Sequence, residues 1–148
     1  MTPADRTAVR LTAALGAWTV FEWATRIRNA AAEPDVDALV KAANVGVAAG
    51  FTAMGVGLLA YAWRNRRNGL PAGAPRVLGV VAFVITAWWS VRTVLVWVHS
   101  HDTPFKVVHT VLAVISITLA LLARRAAVRA SADHPTVLAS TRAASGPR

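Results

Sequence analysis

The chain has 148 residues, 55% of them hydrophobic, a formal net charge of +9 and no cysteine. That length corresponds to one domain, and the missing thiol excludes disulfides, thiolate metal sites and cysteine nucleophiles. The apolar residues fall in long blocks rather than in helical or alternating stripes, which points to membrane-spanning helices and an all-α protein.

Four such blocks lie between charged residues: 11–25 (15 residues, with Glu22 inside), 42–63 (22), 77–98 (22, with Arg92 inside) and 107–123 (17). At about 1.5 Å per residue the two longest reach about 33 Å, enough for a hydrocarbon core of about 30 Å. The shorter two need Arg10, Arg26, Lys106 and Arg124 to snorkel. The expectation is a four-transmembrane-helix bundle over residues 1–130. Its spans cover about 8–27, 40–63, 76–98 and 104–124, the last extending to about residue 130.

Basic residues are distributed unevenly. Eleven fall before the first span, between the second and third, and after the fourth, against four in the other two loops. The positive-inside rule then puts both termini in the cytoplasm, with the bundle in a bacterial plasma membrane and its positive face toward anionic lipid headgroups. Nucleic-acid binding is excluded as a reading, because the basic residues form flanking pairs and short clusters without a DNA or RNA module.

In chain order, Thr2-Pro3-Ala4-Asp5 has the form of a capping box with proline at the first helical position. A signal-peptide reading of the first 32 residues, with Ala30-Ala31-Ala32 as cleavage site, is rejected because Glu22, Arg26 and Arg28 would sit in the cleavage region. The acidic, proline-broken run Glu33-Pro34-Asp35-Val36-Asp37 suits the N-terminus of the second helix. That helix carries Gly46, Gly50, Ala53, Gly57 and Ala60 three or four residues apart, the small-residue face that lets helix backbones approach in lipid. The face can serve this bundle or dock onto another protein. Residues 64–76, with Gly69, Pro71, Gly73 and Pro75, form a turn with Pro75 placed to start the third helix. Tyr61 and Trp63 mark one membrane interface, Trp97 and Phe105 the other. Pro135 and the small, polar composition of 131–148 predict a disordered cytoplasmic tail.

The halves repeat. Ala17-Trp18-Thr19-Val20-Phe21-Glu22 matches Ala87-Trp88-Trp89-Ser90-Val91-Arg92 at an offset of 70, and an Asp-x-x-x-Lys-x-x-polar pattern recurs from Asp37 and from Asp102. Two parallel-related helical hairpins would follow, both entering from the cytoplasm. Glu22 and Arg92 then occupy equivalent positions at equal depth. A charge so far inside a span requires a partner, and each is a candidate for the other. Two local rivals exist: Arg26, four residues after Glu22, as partner for the carboxylate, and the indoles of Trp88 and Trp89 as a bed for Arg92.

His99, His101, Asp102 and His109 are a candidate zinc or copper ligand set by residue type, although their spacing matches no established metal signature. Interfacial histidines held by water, headgroups and backbone are the competing reading. No cofactor is expected. On the fourth helix His109, Ala113, Ser116 and Ala120 make a second small or polar face, expected to pack inward, against the glycine face of the second helix.

Trp88-Trp89-Ser90, Trp97, Asp102, Phe105 and Val108-His109, echoed by Trp18, Phe21, Trp23 and Ile27-Arg28-Asn29, resemble a family of very small actinobacterial integral membrane proteins of unknown function. Those relatives are single hairpins, so the resemblance implies a fused duplication and carries no activity. Four short helices with a glutamate in the first are also similar to small multidrug resistance antiporters, whose carboxylate works unpaired. Here Arg26 and Arg92 stand ready to neutralise it, and that family's third-helix residues are missing. The expected function is therefore a non-enzymatic accessory or assembly subunit docking onto another membrane protein or a second copy of itself. The alternatives are a proton or small-cation transporter using Glu22, and an outer metal or redox site.

Overall fold

The computed structural model describes residues 1–32 and 37–144, with side chains described for 1–29 and 37–133. They form four helices: α1 Pro3–Ala32, α2 Ala38–Arg64, α3 Ala74–Val98 and α4 Thr103–Ala144. Three are long and apolar enough to cross a membrane, α2, α3 and the 103–133 part of α4. α1 is not among them, because Asp5, Arg6, Arg10, Glu22, Arg26 and Arg28 interrupt its apolar stretch.

Local chemistry explains where the helices begin. The capping box forms as expected: the Asp5 backbone N–H donates to Thr2 Oγ1 at 3.1 Å, and the Thr2 N–H and hydroxyl donate to Asp5 Oδ2 at 2.8 and 3.0 Å. Asp37 caps α2 by accepting from the backbone N–H of Leu39 (2.8 Å) and Val40 (3.4 Å). Asp102 does the same for α4, accepting from the Phe105 N–H at 3.3 Å. Pro75 sits in the first turn of α3. Thr2, Asp37 and Asp102 satisfy donors that a helix start leaves open, and Pro75 brings none to satisfy. At its far end α4 departs from expectation. Its backbone is helical through Pro135 to Ala144, where an irregular tail from residue 131 was expected. Pro135 costs the helix one backbone donor, and the helical backbone continues on both sides of it. Residues 145–148 of the tail lie outside the described residues.

α1 packs against α2 and α4, and α3 packs against α4; among the described residues α2 does not approach the backbone of α3 or α4. Side-chain pairs give the directions. Gly16 meets Gly55 and Gly79 meets Arg124, so both hairpins are antiparallel, while Asp5 lies on Gly69 of the α2–α3 turn. The helices therefore form an open arc in the order α2, α1, α4, α3. One end of the arc, the loop end, carries the last turns of α1 and α3 and the first turns of α2 and α4.

The seam of the arc has a heptad-like rhythm. α1 buries Asp5, Ala8, Thr12, Leu15, Thr19 and Glu22, and α4 buries His109, Ala113, Ser116, Ala120, Ala123, Ala127 and Ala130. Steps of three and four residues keep one stripe of each helix inward, and alanine at most α4 positions lets the backbones close up. The small face of α4 is thus internal, but it meets α1 and α3. Its expected partner, the glycine face of α2, lies across α1, on a helix that α4 does not touch.

The α1–α2 crossing is tighter still. A β-carbon on Gly55 would stand 2.9 Å from the Gly16 carbonyl oxygen, and one on Gly16 would stand 2.9 Å from that of Gly55. Gly69 has a further reason to be glycine, since its φ of 82° is left-handed and a β-carbon would meet Asp5 Cγ at 2.9 Å. Outside the seam the surface is apolar: Val56, Val80, Phe83, Val91, Val94 and Val114 are all exposed. An apolar surface this extensive is what a lipid environment requires. Exposed tryptophans stand at both ends, Trp63 under the Arg66 guanidinium at 3.7 Å and Trp97 donating to Thr110 Oγ1 at 3.1 Å.

Candidate functional site

At the loop end the arc opens around a cavity of about 830 Å³ to which all four helices contribute. α1 supplies Phe21, Glu22, Trp23 and Arg26, α2 Asn44 and Val47, α3 Trp88 and Arg92, and α4 Phe105, His109 and Leu112. Aromatic packing keeps it open. Trp23 stacks on Phe51 with centroids 4.3 Å apart, and Trp88 sits edge-on to Trp23 at 5.8 Å and 5.5 Å from Phe51. These three rings join α1, α2 and α3 through side chains where the α2 and α3 backbones stay apart.

Glu22, 5% exposed, is held from two sides. The Trp18 indole N–H donates to Ser116 Oγ at 2.9 Å, and the Ser116 hydroxyl donates to Glu22 Oε2 at 3.1 Å. Oε1 faces the Arg26 guanidinium at 3.9 Å, one helical turn further along α1. Arg26 also lies 4.8 Å from the Trp23 ring centroid and 5.2 Å from that of Trp89. The carboxylate therefore ties α1 to α4 through Ser116, and its countercharge is bedded between indoles from α1 and α3.

The expected Glu22–Arg92 pair is not formed. Among the described residues the ion pair of Glu22 is with Arg26, and the Arg92 Nε is buried without a hydrogen-bond partner. The physical reason is local occupancy. Ser116 donates to Oε2, Arg26 is the guanidinium 3.9 Å from Oε1, which accepts no hydrogen bond, and α1 and α3 are not backbone neighbours. Both charges nevertheless reach the same cavity. Of the two indoles expected to bed Arg92, Trp89 lies under Arg26 instead.

The histidines do not converge. Among the described residues no group of three or more His, Cys, Asp or Glu is placed to hold a metal. His99 Nδ1 lies 2.8 Å from the Leu95 carbonyl and His109 Nδ1 lies 2.9 Å from that of Phe105, which engages one ring nitrogen of each. The His101 and His109 rings both lie against Phe105, tilted, with centroids 4.6 and 4.0 Å away. Only His109 lines the cavity. The glycine face of α2 is uncovered: at Gly46, Gly50 and Gly57 a β-carbon would meet nothing within 4 Å, and Ala53 is exposed. The glycine that packs is Gly55, on the opposite side.

Sequence reasoning missed Gly16, Gly55, Phe51 and the Trp18–Ser116–Glu22 chain. A single glycine and a single phenylalanine carry no periodic signal, and a bond between residues 98 positions apart leaves none. Comparison of the chain with family models, with curated proteins and with solved structures finds no match.

Proposed function

We propose that the chain is a small multi-pass membrane protein that works by docking, with no chemistry of its own, and that the docking surface is the uncovered face of α2. Its four helices would all span a bacterial plasma membrane, both termini inside, with α1 carried across by burying its polar stripe against α4. A duplicated hairpin belongs to this reading as its origin.

The observation that carries the proposal is the open space above Gly46, Gly50 and Gly57 on a helix whose opposite side already packs glycine to glycine. In lipid the hydrophobic drive between helices is absent, and close backbone approach over small residues takes its place. The face also holds a recess of about 560 Å³ lined by Gly57, Ala60, Tyr61, Arg64 and Asn65. A second copy is the occupant we favour, because two identical small-residue faces fit each other without further design.

The cysteine-free chain makes the test free of background. Gly50→Cys and Gly57→Cys, oxidised in native membranes, are expected to give a band at twice the monomer mass, and Val80→Cys on α3 is expected to stay monomeric. Crosslinks to a different protein would transfer the face to a larger complex. Monomer at every position overturns docking. The transport reading has one supporting observation, that Glu22 lines an open cavity. Against it, the carboxylate already holds Ser116 and Arg26, and two guanidiniums on the same cavity repel a cation.

A further inference from the structure

We infer that the loop-end cavity is a binding site for an organic anion, an oxyanion carried on an apolar body, with Arg92 as its principal anchor. This stands apart from docking at α2, since the cavity lies between the helices and is lined by different residues.

The first argument is charge. Among the ionisable groups on the cavity wall there is one carboxylate, Glu22, against two guanidiniums, Arg26 and Arg92, with His109 beside them. Arg26 is matched to Glu22 at 3.9 Å, which leaves one formal positive charge over with the imidazole neutral. An unmatched guanidinium at this depth is expensive, and the missing charge must be negative.

The second argument is hydrogen bonding. The Nε–H of Arg92 and the indole N–H of Trp88 are both buried without a partner, and Glu22 Oε1, an acceptor on the same wall that is also without a hydrogen bond, bonds to neither of them. They belong to one helix, four residues apart, and both residues line the cavity. Each can only donate. A site with two idle donors calls for acceptors, and an oxyanion brings both acceptors and charge. Guanidinium is suited to it, because its planar fork matches carboxylate and phosphate oxygens.

The third argument is the rest of the wall. Trp23, Trp88, Phe105 and Leu112 present apolar surface next to the charges. A bare inorganic anion would leave them against water, whereas an anion with an aliphatic or aromatic body covers them. Two sources supply such a molecule, the headgroup and glycerol region of an anionic phospholipid, or a free amphiphilic carboxylate.

The test uses the full chain in neutral maltoside micelles, with tryptophan fluorescence as the readout. The probes are dihexanoyl phosphatidylglycerol, its zwitterionic phosphatidylcholine counterpart, and octanoate. Saturable binding of the phosphatidylglycerol, at least tenfold tighter than the phosphatidylcholine, indicates the lipid source. Octanoate binding with neither phospholipid binding indicates the free one. Arg92→Gln is expected to weaken the preferred anion at least tenfold, while Arg66→Gln at the opposite end leaves it unchanged. Should Arg92→Gln fail to fold, Arg92→Lys keeps the charge and loses the fork, and a several-fold weakening is expected. Equal affinity for the two phospholipids with no octanoate binding overturns the inference. So does anion binding indifferent to both Arg92 variants.

Discussion

Gly55→Val is expected to force α1 and α2 apart and to lower stability by about 1–3 kcal/mol, the usual range for overpacking a close contact. The β-carbon alone would stand 2.9 Å from the Gly16 carbonyl oxygen and 2.9 Å from the Val20 backbone nitrogen, and neither is the far end of a flexible side chain. Backbone has to move. Gly46→Val, on the same helix with open space above it, should change the unfolding midpoint in detergent little. The pair of variants separates the steric effect from any general cost or gain of valine in an α2 helix. Equal stability for both would mean that α1 and α2 do not cross at Gly16 and Gly55.

The second large effect belongs to Glu22→Leu. Removing the carboxylate leaves the Arg26 guanidinium without a countercharge beside Arg92, and leaves the Ser116 hydroxyl without its acceptor. Breaking a buried pair from one side costs about 3–5 kcal/mol. The lower end applies here, because the Arg26 side chain keeps 23% exposure and its 3.9 Å approach is long. Glu22→Gln retains an acceptor for Ser116 and loses only the charge, so it should cost less, about 1–3 kcal/mol. Denaturant or thermal unfolding in detergent reads both. A Gln variant as damaged as the Leu variant would assign the whole effect to charge and none to the Ser116 bond.

Much of the fold is legible in the sequence because it is local. A Thr2–Asp5 capping box and Pro75 each act within a few residues and stand in the structure where expected, and three of the four apolar blocks lie on helices long and apolar enough to cross a membrane. Asp37 and Asp102 are instructive. Their recurrence supports a duplication by sequence, yet both cap a helix, and capping favours aspartate at such a position in any chain. The contacts of the two hairpins are also unequal, for α1 packs on α4 while α3 does not pack on α2.

What sequence could not supply is which helix lies next to which. The small-residue face on α2 is the correct kind of packing surface, but the adjacent helix uses Gly55, one isolated glycine on the other side. Adjacency was not readable. Glu22 and Arg92 reach one cavity as equal depth suggests, and the partner is decided by the nearer Arg26 and by Ser116 from α4. An i,i+4 pair needs no tertiary arrangement, which is why it wins. The histidines illustrate the converse. Closeness in sequence did not bring three of them to one point among the described residues.

Glu22 is countered within α1 by Arg26, and Arg92 is left over for a ligand. A double-mutant cycle measures this directly: Glu22→Gln combined with Arg26→Gln, and separately with Arg92→Gln, each followed by unfolding in detergent without added anion. Coupling between residues in direct contact is about 0.5–3 kcal/mol. The expected result is coupling in that range for Glu22 with Arg26, and less than half as much for Glu22 with Arg92. A larger coupling to Arg92 than to Arg26 would contradict the account, since Arg92 would then be the partner of the carboxylate and no guanidinium would stand free in the cavity.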